Sequence, residues 1–122
     1  MSWLFGFFGN TEPQKITSPD TPLYQFKDSR LILFTGGNKQ TCFFNADTSD
    51  SCWAVDGVGL KPFENGYEVL HQSEWKNLLS ADQIDLKSLN GHFAAIKYSD
   101  KELKIFTDEL GLRDIHIVQL PD

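Results

Sequence analysis

Positive charge is scarce in this sequence. Eleven Lys and Arg stand against 17 Asp and Glu, a formal charge of −6. A surface of that sign repels phosphate backbones, so neither DNA nor RNA is an expected partner. The acidic groups are spread along the chain and serve solubility rather than capture of a cationic partner. Cysteine is nearly absent. Cys42 and Cys52 are the only two; they form no CxxC and have no nearby His pair, so no metal site is expected. A bridge between them needs adjacent strands, and free thiols in a reducing cytosol are the expectation. Phosphate-binding signatures are missing too: Gly36 and Gly37 lead into neither Gly-Lys-Ser nor Gly-x-Gly-x-x-Gly. Any ATP chemistry therefore belongs to another domain, and no cofactor is expected. The apolar start (Trp3, Leu4, Phe5, Phe7, Phe8) has no basic residue before it and is too short for a signal peptide or a membrane span. The chain reads as soluble and cytoplasmic, with no membrane partner. It has no internal repeat and no low-complexity tract.

What is present is apolar bulk. With 122 residues, 40% hydrophobic, and ten Phe, three Trp and three Tyr, residues 1–122 suffice for one domain with a real core. Trp3, Trp53 and Trp75 are read as core anchors, and Cys42 and Cys52 as small core residues within apolar runs. The segment 2–9 reads as a buried N-terminal strand. Pro13, Pro19 and Pro22 make residues 10–22 a loop. Leu31–Phe34 and Thr41–Phe44, separated by Gly36, Gly37 and Asn38, read as a hairpin. Cys52–Val55 is a third strand, ended by a turn at Asp56 and Gly57. Ser73 can cap a helix that carries Trp75, Leu78 and Leu79 at helical spacing. Leu86 and Leu89 then share one side of a short turn. Phe93–Tyr98 and Leu103–Thr107 read as strands joined by a tight turn at Ser99, Asp100 and Lys101. Ile115–Val118 reads as a final strand. His71, His92 and His116 are far apart and carry no metal or base signal. The sum is a strand-rich α+β domain with mostly antiparallel sheets.

One stretch carries more than periodicity. Leu89, Gly91, Phe93, Ala94 and Asp100 are followed by Asp108, Leu110, Gly111 and Leu112, with Arg113 behind them. This run resembles the pattern L-x-G-x-F-A-x-x-x-x-D, then R-D-x-x-G-x-x-P-L-Y-Y, of the glutamine amidotransferase type 2 domain that opens asparagine synthetases. The physical reading agrees: Gly91 lets the chain turn into a strand, Phe93 starts a core face, and Asp108 and Gly111 shape a tight turn. The resemblance covers about 30 residues well. It implies an N-terminal-nucleophile (Ntn) hydrolase-like αββα sandwich of antiparallel sheets. Here the helical layers are reduced, since a single helix is convincing.

The resemblance also implies a chemistry. A mature first residue attacks the side-chain amide of glutamine, its own α-amine acts as base, and ammonia passes to a synthetase domain. In this sequence Ser2 behind Met1 takes the nucleophile's place. Asp56 and Gly57 stand where the family has Asn-Gly-Glu for binding substrate. Much of the machinery is missing. Trp3 replaces a Gly, no Arg-Gly-Pro-Asp stretch is found, and Val58 follows Gly57 where a Glu is expected. Two readings follow. In the first, the domain is a degenerate glutaminase-like module that packs on an ATP-dependent, asparagine-synthetase-like domain or subunit. It is then either a separate partner or the first part of a longer protein, and a homodimer stays open. In the second, Ser2 is the nucleophile of an active amidase.

Overall fold

In a computed structural model, residues 2–9, 18 and 20–108 are described. They form eight strands and one α-helix, an α+β arrangement of antiparallel sheets. The strands are β1 (Trp3–Phe8), β2 (Tyr24–Lys27), β3 (Leu31–Gly36), β4 (Cys42–Thr48), β5 (Ser51–Phe63), β6 (Gly66–Val69), β7 (Asn90–Ser99) and β8 (Glu102–Thr107); the helix α1 spans Gln72–Leu79.

A three-stranded sheet has the order β1-β3-β2, and a five-stranded sheet has the order β4-β5-β7-β8 with β6 also on β5. Leu60 pairs with Val69 on one side and Asn90 on the other, so β6 prolongs the β4 edge of β5.

The two sheets stack face to face. Strand alternation sends Cys52 and Ala54 of β5 and Ile96 and Tyr98 of β7 toward Phe26, Leu31 and Leu33 of the smaller sheet. The opposite face of the larger sheet presents Phe43, Trp53, Val55, Phe93 and Ala95 to Leu70, Trp75, Leu79, Leu86 and Leu89. Trp53, Trp75 and Phe93 are each fully buried there. Each contributes about 1.5–3 kcal/mol or more through its burial. Trp75 meets Phe93 edge to face, with ring centroids 5.2 Å apart.

Several expectations need correction. The run through Gly36 and Gly37 is not a hairpin. β1 and β2 flank β3 on its two edges, so β4 pairs in the other sheet. The chain crosses between sheets through a 3-10 turn at Lys39–Thr41, where the Asn38 side chain accepts the Gln40 N–H at 2.9 Å. β1 is a strand as expected, but only partly buried; Phe5 and Phe8 are 43% and 41% exposed. The helix begins one residue ahead of Ser73. His71 occupies the cap position and the Ser73 hydroxyl donates to Glu74 instead. β2 and β6 were not expected at all.

The closing hairpin matches its expectation. Ser99 pairs with Glu102, and Asp100 and Lys101 both have positive φ, 53° and 60°, the conformation of a type I′ turn. The expected strand Ile115–Val118, the motif residues Leu110 to Arg113, His116 and most of the Pro-rich loop lie outside the described residues.

Candidate functional site

Asp56 and Gly57 do not end a strand. β5 runs on through them to Phe63, and its ladder with β7 continues as Asp56↔Ala94, Gly57↔Phe93 and Val58↔His92. Gly57 and Gly91 both take φ of +119°. A side chain on Gly57 would run into the carbonyl oxygen of His92 and come within 2.9 Å of Phe93 Cα. One on Gly91 would strike the carbonyl of Val58. The two backbones therefore approach closely here, and the irregular turn at Gly57 is absorbed without breaking the ladder.

Alternation along β5 sends Asp56 to the same side as Cys52 and Ala54, into the space between the sheets. Ser2 sits at the head of β1 on the other side of that space. The Ser2 hydroxyl donates to Asp56 Oδ1, across 54 positions of sequence. Ser2 is 3% exposed and Asp56 7%. The Thr41 hydroxyl donates to Ser2 Oγ at 3.0 Å, which holds the serine side chain from a second direction.

Cys42 lies directly across from Asp56 in the β4–β5 ladder. Its thiol donates to Thr35 Oγ1 of β3 at 3.2 Å. Two polar contacts thus cross the sandwich at this end, Ser2 to Asp56 and Cys42 to Thr35. Burial pushes the Cys42 thiol above its ordinary range; the Thr35 contact offsets part of this, and the Asp56 charge adds to it. Cys42 is therefore a thiol, not a thiolate, and is not an activated nucleophile. Cys52 is the more extreme case, its pKa pushed up to about 12, first by burial and then by the charges of Asp47 and Asp28. Both cysteines are free and buried. They sit on adjacent strands as a bridge would need, but Cys42 faces Asp56 and Cys52 faces Ala46, so they are out of register for a disulfide.

The structure thus brings together two residues that the resemblance singled out, Ser2 and Asp56. Gly57 serves the backbone of β5 beside them. Thr41, Thr35 and Cys42 complete the cluster. Cys42 was read only as core, and no motif marked Thr41 or Thr35. Asp108, a motif residue, ties the end of β8 to β7: the Phe93 N–H donates to its Oδ2 and its own N–H donates to the Phe93 carbonyl, each at 3.2 Å. Among the described residues no group of His, Cys, Asp and Glu is placed to hold a metal, and no helix is long and apolar enough to cross a membrane. His92 is exposed on β7, where it pairs with Val58, two residues beyond Asp56 on β5, and His71 occupies the cap position of the helix.

No protein-family model, no curated protein and no solved structure matches the chain.

Proposed function

We propose that this chain is a catalytically lapsed relative of the amidotransferase domain that opens asparagine synthetases. In this reading it packs, in the cytoplasm, on an ATP-dependent domain or subunit that forms amides. Support comes from the closing hairpin with its L-x-G-x-F-A run and from two stacked antiparallel sheets with a helix on one face. The head of the first strand also lies between those sheets, beside the strand that carries Asp56 and Gly57. That arrangement fits an αββα sandwich with thinned helical layers.

The observation that carries the lapse is the Ser2–Asp56 contact. Acyl transfer needs a nucleophile that reaches a carbonyl carbon, and donors aimed at the oxyanion that develops. At 3% exposure, Ser2 Oγ is out of reach of a glutamine side chain in this conformation. A carboxylate beside it, where the related domains place an amide, opposes negative charge on the substrate oxygen instead of stabilising it.

The same contact gives the second reading its one argument, since a carboxylate can take the proton of a serine hydroxyl. One sequence of measurements separates the two. Intact mass establishes whether Met1 is removed; with Met1 in place the Ser2 nitrogen is an amide and cannot act as base. The form beginning at Ser2 is then incubated with glutamine. The lapsed reading expects ammonia at the rate of a blank, and co-elution with a purified asparagine-synthetase-type subunit in size-exclusion chromatography. Turnover that disappears in Ser2→Ala would instead establish the amidase.

A further inference from the structure

We propose that Asn65, at the tip of the β5–β6 hairpin, is a modification site: attack by its own chain converts it to aspartate and isoaspartate. The proposal holds whichever function the chain has. Three places in the sequence put an Asn or Asp ahead of a glycine: Asp56-Gly57, Asn65-Gly66 and Asn90-Gly91. In such a pair the glycine nitrogen can close on the side-chain carbonyl carbon, because no Cβ stands in the way and the backbone turns freely. The fold separates the three. Gly57 and Gly91 sit in the β5–β7 ladder at φ of +119°, each pressed against a carbonyl oxygen of the opposite strand. Asp56 is buried, and Asn90 follows the buried Leu89 and pairs with Leu60. Ring closure at either would part the two central strands. Gly66 is different, since a Cβ there meets nothing within 4 Å. Glu64 and Asn65 form an exposed turn. Neither has the positive φ that fits a two-residue turn to the twist of its strands. β6 has four residues, none of them buried. Such an edge opens at the low end of the local unfolding range.

The Gly66 amide gives up its proton to hydroxide, and its nitrogen bonds to Asn65 Cγ. The Cγ–Nδ2 bond breaks, and Nδ2 takes a proton from water and leaves as ammonia. A five-membered succinimide remains, which water opens at one of two carbonyls. Cleavage at Cγ restores the ordinary chain with an aspartate. Cleavage at the Asn65 carbonyl carbon leaves the chain running through Cβ and Cγ, as isoaspartate. In sum, an amide and water give a carboxylic acid and ammonia, and the acid ionises at neutral pH. The new carboxylate stands next to Glu64 and three residues before Glu68. It also lies beside Phe63 and Tyr67, which at 60% and 56% are the most exposed large apolar side chains among the described residues. Isoaspartate lengthens the main chain by one carbon, so the closing pair Phe63↔Gly66 loses its register. The modification therefore recharges and loosens an exposed aromatic surface.

The test incubates the folded full chain at mildly alkaline pH and follows residues 65 and 90 by peptide mapping with fragmentation that separates aspartate from isoaspartate. Asn65 is expected to convert roughly tenfold or more faster than Asn90, with isoaspartate among the products and ion exchange resolving a more acidic form. In concentrated urea the two sites should convert at similar rates, because the discrimination comes from the fold. Gly66→Ala, whose added methyl group has open space, should fold and slow conversion of Asn65 by roughly tenfold, since the attacking nitrogen is then crowded by a Cβ. An Asn65 that stays intact, or that converts no faster than Asn90 in the folded chain, overturns the proposal. So does a preference for Asn65 that persists undiminished in urea, or an Asn65 that yields aspartate alone at a rate Gly66→Ala leaves unchanged. Should Gly66→Ala not fold, the folded and urea rates of the unsubstituted chain decide the matter by the same criteria.

Discussion

Replacing Gly57 with alanine asks whether this residue shapes a strand or serves a ligand. Two costs add. At φ +119° an alanine is held in a region that L residues avoid, at about 1–3 kcal/mol. Its methyl group would also be driven against the His92 carbonyl and Phe93 Cα. Those are backbone atoms that no rotamer change can clear, so β5 and β7 must part, at roughly 1–3 kcal/mol more. A total of about 2–6 kcal/mol is a large share of the 5–15 kcal/mol typical of a domain. With a urea m-value of about 1–3 kcal/mol/M, the midpoint falls by about 2 M. Equilibrium urea unfolding followed by tryptophan emission reads this directly, because Trp53 and Trp75 are 0% exposed when folded. Gly66→Ala is the control: a Cβ there meets nothing within 4 Å, and the change should stay within about 0.5 kcal/mol. A Gly57→Ala midpoint indistinguishable from that control would falsify the account of the β5–β7 approach and return Gly57 to candidacy as a contact for a ligand.

Further outcomes are expected at three places in the fold. Tyr98 donates its hydroxyl to Asp28 Oδ2 at 2.6 Å, at the end of the sandwich away from Ser2; Tyr98→Phe should cost about 1.5–3 kcal/mol at neutral pH. Burial raises the Asp28 carboxyl, but the Tyr98 hydroxyl, the Arg30 and Leu31 amides and the Lys101 charge outweigh it and hold the group below the ordinary 3.8. Asp28 therefore stabilises the fold above that value, the contribution fades as pH falls through its lowered folded pKa, and Tyr98→Phe should flatten this acid limb of a stability–pH curve. Burial first, then the Asp28 contact, push Tyr98 up to about 12; the stability held by its neutral form is intact below the ordinary phenol value and is lost as pH rises toward 12, seen as phenolate absorbance that appears only with unfolding. Cys42 and Cys52, both buried thiols, should resist a disulfide reagent for the lifetime of the native state, and two thiols per chain should titrate in denaturant; rapid native reaction of either would contradict the packing. Lys101→Gly should raise stability by about 0.5–1 kcal/mol, since Lys101 holds φ of 60° in the β7–β8 turn and glycine does so without a Cβ penalty; a lower melting temperature would count against the turn geometry.

Local signals carried the parts of the fold that local physics decides. The β7–β8 hairpin was legible because alternating apolar residues flank a two-residue turn. The helix face was legible because Trp75, Leu78 and Leu79 recur at helical spacing. β6 carries a local signal as well, since Asn65-Gly66 is a strong turn dipeptide and Tyr67, Glu68 and Val69 alternate, but the strand has only four residues and none of them is buried. β2 has only four residues, of which Phe26 alone is buried, so nothing short-range marks it. The mistaken β3–β4 hairpin shows the limit more sharply. The turn residues were real, but which strand β4 joins depends on the edges of β3 being occupied already, one by β2 just before it in the chain and the other by β1 from the far end of the Pro-rich loop. Ser2 and Asp56 both stood out through the resemblance, Ser2 in the nucleophile's place and Asp56, with Gly57, in the place of Asn-Gly-Glu. Their contact, and the place of Thr41 beside them, arise from stacking of the two sheets, which no spacing in the sequence encodes.

The position of β5 has a consequence for how the molecule is made. This strand, 13 residues long, is the shared partner of β4, β6 and β7. Its hairpins with β4 and β6 join near neighbours in the chain, while Cys52 must find Tyr98. During synthesis the hydrophobic flank that β7 will occupy stays open until that later segment has emerged, and closing the intervening loop costs a few kcal/mol of chain entropy first. That waiting interval is when a nascent chain is most open to pairing with the wrong strand, its own or another molecule's.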